Sequence, residues 1–231
     1  MKVLAIDTSS PAGSVAIASG GDLAAELLLN VDYTHSRRLM RDVDLMLKAV
    51  GEEVRHMDGF ALTLGPGSFT GLRIGVATVK GMAMVADRPV AGVVTLDALA
   101  QNLYATSAPV WVVTDARKGE VFAARYEPGP EGMARTGELL LLAPHALAER
   151  IRGPAIFLGS GVALCETVLR ERLGEQALFA PPHLWHLRAA VVAALGARKL
   201  QQGDTEDLAT FGPLYIRPSE AELQSVEVPE P

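Results

Sequence analysis

The stretch Gly65–Val85, GPGSFTGLRIGVATVKGMAMV, constrains the chain more than any other. Proline withholds a backbone donor and glycine favours positive φ, so Gly65-Pro66-Gly67 ends any strand that enters it and forces a turn. Ser68 then stands where a helix N-cap belongs. At about 100° per residue, Arg73 and Lys80 fall on one narrow stripe, and apolar or small residues fill most of the remaining circumference. A helix apolar on nearly all sides is expected to be buried on nearly all sides. Gly67, Gly71 and Gly75 recur every fourth residue, which leaves one face without side chains and open to close approach by another backbone. This spacing also marks membrane helix dimers, but Arg73 and Lys80 interrupt the run and argue against a spanning segment.

Two readings of this helix follow. In one it is a central core helix of its own domain. In the other, a second subunit covers part of it. The second reading puts Leu72, Gly75, Val79 and Met82 on a continuous partner-facing strip, with Arg41 and Leu45 of the preceding helix beside it.

Upstream, Val3–Ile6 and Ser14–Ala18 are apolar runs separated by the turn cluster Asp7-Thr8-Ser9-Ser10-Pro11, which together predict a hairpin. Leu23–Leu29 is a third strand candidate. Periodicity predicts a helix over Ser36–Val50, with Leu39, Val43, Met46, Leu47 and Val50 on the core stripe and Leu45 opposite. Gly59–Leu64 and Val90–Val94 read as buried strands, and Leu96–Tyr104 as helical. The second half opens like the first. Val110–Thr114, the turn Asp115-Ala116-Arg117-Lys118-Gly119 and Val121–Tyr126 repeat the order apolar run, aspartate, turn, apolar run, which is the signature of a duplication. This predicts an α/β chain of two lobes, 1–106 and 107–217, with 218–231 a loose acidic tail. Further on, 128–137 reads as a glycine-rich loop, 144–152, 162–173 and 187–200 as helices, 155–158 as a strand, and 208–216 as the last piece of sheet.

Composition bounds the function. The chain has 231 residues, a formal net charge of -6 and a single cysteine. Such a balance opposes unaided binding of RNA or DNA. One cysteine cannot form an internal disulfide, and the apolar run before Asp7 is too short for a signal peptide, so the cytoplasm is the expected location.

The candidate chemistry is sparse. Asp7 and Asp115, one per repeat, could face each other across a cleft and hold a metal-bound phosphate; equally, aspartate favours such turns for its own hydrogen bonding. Gly65–Gly71 has neither the Lys-Ser/Thr of a P-loop nor the dinucleotide spacing. His183 and His186 are spaced like ligands on a helix but lack a third partner, so helix-start polar residues explain them as well. Cys165 has no adjacent histidine and reads as a small buried side chain. Ser9 and Ser68 lack a triad context. No catalytic and no metal-binding residue is assigned.

LAIDTSSPAGSVAI, HSRRLM, GPGSFTGLRIG, GVVTLDALA, TDARKGEVFAARY and PLYIRPSE together resemble the TsaB family, formerly YeaZ, over nearly the whole chain. GPGSFTGLRIG and DARKGEVF are the specific parts. The resemblance implies the actin/Hsp70-like ATPase fold, two ribonuclease-H-like lobes with mixed sheets flanked by helices. It also implies a part in making N6-threonylcarbamoyladenosine at position 37 of tRNAs that read ANN codons. The catalytic relative TsaD carries a His-x-x-x-His metal motif, and at the matching place this chain has Thr95 and Leu99. Leucine cannot bind a metal.

The implied role is therefore a non-catalytic partner that pairs with TsaD through the helices after Tyr33 and after Gly67, and that TsaE joins. A homodimer is expected when TsaD is absent. The chain alone is expected to bind no cofactor, with ATP used by the complex and tRNA met only through it; no membrane is involved. Asp7, Thr8, Ser9 and Asp115 would then be a vestigial phosphate turn. The alternative is a stand-alone phosphate-handling ATPase that uses Asp7 and Asp115.

Overall fold

The computed structural model describes residues 1–31 and 34–216. Strands β1 (Lys2–Asp7), β2 (Gly13–Ser19) and β3 (Asp22–Leu29) form an antiparallel meander. Helix α1 (His35–Val50) leads to β4 (Gly59–Gly65), helix α2 (Phe69–Ala86) to β5 (Val90–Val94), and α3 (Thr95–Ala100) follows. The sheet order is β3-β2-β1-β4-β5, with β4 and β5 added in parallel.

The second half repeats this plan. Strands β6 (Val110–Asp115), β7 (Val121–Gly129) and β8 (Gly132–Arg135) form the meander, and β9 (Leu140–Leu142) also pairs with β7. Helix α4 (Pro144–Arg150) precedes β10 (Ala155–Leu158), α5 (Val162–Leu173) precedes β11 (Ala177–Phe179), and α6 (Ala189–Gln201) follows. The order β8-β7-β6-β10-β11 mirrors the first sheet. This is the actin/Hsp70-like arrangement of two ribonuclease-H-like halves.

The strand period of two sorts the core into three layers. Leu4, Ile6, Val15 and Ile17 face α1 and α2. Trp111, Val113, Val121 and Ala123 face α4 and α5. Between the sheets, Val3, Ala5, Ala16 and Ala61 meet Val110, Val112, Ala124 and Tyr126, with α3 and α6 filling the space. The first sheet presents small residues here because α6 lies close upon it: a Cβ on Gly196 would overlap that of Ala61. Glu26 Oε1 accepts the Ala190 N–H (2.9 Å) at the start of α6, and Lys199 Nζ reaches Gly92 O (2.9 Å) near its end.

Several expectations are corrected. The second lobe, 107–217, is divided: 110–179 builds the second sheet, whereas α6 and the segment after it return to the first. Residues 128–137 are a β-hairpin, because β7 runs on to Gly129 and pairs with β8. Residues 208–216 form no strand. They make a turn at 208–210 and then an irregular strap, with Leu214 N–H bonded to Leu64 O (2.7 Å) and Phe211 buried in the α1/α2 core. That strap runs along the polar stripe of α2: Lys80 lies over Phe211 at 4.6 Å, the exposed Arg73 donates through Nε to the Tyr215 hydroxyl (3.0 Å), and Tyr215 stacks on Phe69 at the start of α2. The tail 218–231 lies outside the described residues.

Phe211→Ala therefore removes a buried ring and with it the face on which Lys80 rests. It is expected to lower unfolding free energy by about 3–5 kcal/mol in a urea titration. An unchanged midpoint would show that the strap adds nothing to the core.

Candidate functional site

The centre of the first half is the β1–β2 turn, and α2 is built to meet it. Ser68 caps the helix by accepting the Gly71 N–H at 3.3 Å, while its own N–H donates to Ser9 O at 2.7 Å. A Cβ at Gly67 would overlap Ser9 O, one at Gly71 would overlap Thr8 O, and one at Gly75 would overlap Thr8 Oγ1. The backbone that approaches the glycine face is thus the chain's own turn.

Asp7 is 1% exposed. Its Oδ1 accepts the Ser9 N–H (3.0 Å) and the Thr63 hydroxyl (2.6 Å). Burial pushes this carboxyl above the usual carboxylate range, against the hydrogen bonds from Ser9 and Thr63 that pull it down. Thr8 and Ser9 are buried as well. His35 Nε2 bonds Ser10 O (2.7 Å), and Arg38 donates to Pro11 O (3.3 Å) and Leu29 O (3.2 Å), so α1 clamps the far side of the turn.

The second half has the same motif. Asp115 Oδ1 accepts the Arg117 N–H at 2.6 Å, and Ser160 Oγ accepts the Asp115 N–H at 3.2 Å. Gly161 packs so closely that a Cβ there would stand 2.9 Å from Thr114 C. Each aspartate is engaged with the N–H two residues on, as an Asx turn requires. Asp7 and Asp115 share no partner: one is tied to Thr63, the other to Ser160.

The expected partner strip is corrected. Leu72 is 1% exposed and Val79 0%, and Gly75 and Met82 are also buried. Val79 and Met82 pack among Leu4, Leu62 and Phe60 in the core of their own half. Arg41 and Leu45 do stand on the outer side of α1, Leu45 with about half its surface free. The face of α2 that its own half leaves bare is Ala77, Gly81, Met84 and Val85, with Met84 70% and Val85 81% exposed. Helices α1 and α2 are neighbours, and α1 has exposed apolar residues of its own, Met40 and Leu45. The α2 wheel shows that these residues share a face; which apolar face the sheet takes depends on the glycine contact.

Elsewhere, Thr95 and Leu99 are both buried, Leu99 between the sheets and Thr95 with a partnerless Oγ1. His183 lies in a single helical turn, Pro182–Leu184, and His186 lies beyond it. Among the described residues no three His, Cys, Asp or Glu side chains cluster as a metal site. Cys165 is buried, which pushes its thiol up to about 11.

The family model described as TsaD: tRNA N6-adenosine threonylcarbamoyltransferase matches residues 30–225. The chain is 34% identical to the tRNA threonylcarbamoyladenosine biosynthesis protein TsaB of Escherichia coli (strain K12), over 70% of this chain and 72% of that one. It is 29% identical to the protein of that name from Bacillus subtilis (strain 168), over 98% and 99%. The chain belongs to the TsaB family. The likeness extends to the fold: YeaZ from Pseudomonas aeruginosa superposes with a TM-score of 0.77 at 29% identity, over 93% of this chain and 99% of that one. The TsaB family takes part in tRNA threonylcarbamoyladenosine biosynthesis.

Two substitutions test the turn. Gly71→Ala gains roughly 1 kcal/mol of helix propensity yet forces a methyl into Thr8 O, so a net loss of about 1–3 kcal/mol is expected by thermal denaturation. Asp7→Asn keeps the Oδ1 acceptor and removes the buried charge. Below the ordinary value of 3.8 both folded and unfolded forms of Asp7 are protonated and the carboxyl carries no penalty. As pH rises through 3.8 the penalty develops, and it grows until pH passes the raised folded value. Asp7→Asn is therefore expected to melt above the parent at pH 7, with the gap closing below about pH 4. A gap independent of pH would refute the buried-charge account.

Proposed function

We propose that this chain is the non-catalytic binding and activating subunit of the assembly that makes N6-threonylcarbamoyladenosine at position 37 of ANN-reading tRNAs. Its direct partner is TsaD, and TsaE joins the pair. The observation that carries this reading is the exposed apolar face of α2, Ala77, Gly81, Met84 and Val85. Large apolar residues clustered on one face of a soluble protein mark an interaction surface. Gly81 and Ala77 let a facing helix approach closely, and Met84 and Val85 supply the area.

Other features support a partner over an enzyme. Leu99 belongs to the core, Asp7 and Asp115 are both engaged in their own turns, and Cys165 is a buried, protonated thiol. ATP is turned over by the assembly and not by this chain alone. The net charge of -6 favours a tRNA that is held mainly by the partners. When TsaD is absent, the same face pairs two copies of the chain. All of this takes place in the cytoplasm.

Met84→Asp with Val85→Asp places two carboxylates on this face without touching the core. Co-purification with TsaD is expected to weaken on the order of a hundredfold while the melt stays unchanged. Reconstituted tRNA modification should fall to the level seen without this chain, and light scattering should report a monomer. A robust ATPase of the isolated chain, abolished by Asp7→Ala or Asp115→Ala, would establish the enzyme reading instead.

A further inference from the structure

A groove of roughly 510 Å³ lies where the halves meet, between the outer edge of β5, the β7–β8 hairpin and the end of α6. It is remote in composition from both the aspartate turns and the outer face of α2: none of their residues lines it. Gln101, just after α3, closes one side, donating to Met133 O (2.8 Å) and accepting the Met133 N–H (3.0 Å). Val93, Met133 and Leu195 give it apolar walls.

Three cations line the groove, Arg135, Arg198 and Lys199, against two carboxylates, Asp97 and Glu131. Arg135 Nε pairs with Asp97 Oδ1 (3.2 Å), which also accepts the Tyr126 hydroxyl (2.7 Å). Arg198 reaches Glu131 through one nitrogen, at 3.2 Å to both its main-chain oxygen and Oε2. Lys199 Nζ contacts Gly92 O and, at 3.1 Å, Asp204 Oδ2. Both Nη atoms of Arg135, and Nε and Nη2 of Arg198, make no hydrogen bond to the described residues. The Glu131 and Asp204 side chains are 78% and 60% exposed, so solvent screens their pairs and a better acceptor displaces them easily. With Asp204 counted, each of the three cations has a carboxylate partner, and what the groove offers a ligand is the set of guanidinium nitrogens that Asp97 and Glu131 leave free.

We propose that this groove binds a small phosphate-bearing molecule of nucleotide size. Its phosphate lies on the guanidiniums of Arg135 and Arg198 and the ammonium of Lys199, and its apolar body lies against Val93, Met133 and Leu195. Guanidinium forks match phosphate oxygens in pairs, and the volume falls within the range of small-molecule pockets, about 300–1,000 Å³. Occupancy would tie α6, which rides on the first sheet, to the hairpin of the second.

The test is calorimetric titration of the full chain with ADP, repeated in the presence of inorganic phosphate, with the melt of every variant recorded. Saturable binding at one site per chain is expected, with inorganic phosphate competing. Arg198→Ala should weaken ADP binding at least tenfold, Arg198→Lys less, because it keeps the charge and loses the fork. Arg135→Ala should weaken it similarly, and Arg73→Ala, outside the groove, not at all. Should Arg135→Ala lower the melt through Asp97 and Tyr126, the partly exposed Arg198 decides alone. The proposal is overturned if no saturable binding is found, if phosphate fails to compete, or if Arg198→Ala binds like the parent. It is equally overturned if Asp115→Asn, and not Arg198→Ala, removes the binding.

Discussion

The close approach of α2 to the β1–β2 turn is the contact on which the first half is assembled. Three glycines spaced four apart, Gly67 just before α2 and Gly71 and Gly75 within it, leave room for Thr8 and Ser9. Any side chain there would push helix and turn apart, and with them the buried Asp7, the Ser68 cap and the β4 exit. The second half solves the same problem with Gly159 and Gly161 against Val113 and Thr114. The duplication is therefore one of contacts as well as of strand order.

The two halves are not independent bodies. Helix α6 completes the first sheet from the far end of the chain, and α3 sits in the layer between the sheets with Val110, Val112 and Tyr126. Both helices need small neighbours. Ala5, Ala16 and Ala61 on one side and Gly196 on the other shorten the distance between sheet and helix, which raises packing density where large side chains would hold the layers open. The strap 208–216 extends this closure around α2, using rings and cations in place of a ladder.

Helix α2 thus has three different surroundings around one circumference. Its glycine face meets the turn, its Arg73–Lys80 stripe meets the strap, and its Ala77–Val85 face meets solvent. Chemistry has little purchase in the turn, where the aspartates are engaged by their own backbone. The Ala77–Val85 face of α2 stays exposed.

Much of this architecture was legible in the sequence. Apolar runs at Val3–Ile6 and Val110–Thr114, each followed by an aspartate turn, determine a duplicated α/β chain, and the glycine spacing determines that some backbone must approach α2. Local pattern also placed Ser68 as a cap and Leu45 on the outside of α1. In the hairpin at 128–137, glycine and proline mask in the sequence a strand that is completed only by pairing with β8. Only the tertiary structure decided that α6 belongs to the first sheet, that a strap runs along Arg73 and Lys80, and which side of α2 is free. A helix that is apolar nearly all round carries no internal signal for inside and outside. Leu72, Val79 and Met82 are as apolar as Met84 and Val85, and their burial follows from Gly71 and Gly75 being held against Thr8, a contact between residues more than sixty positions apart.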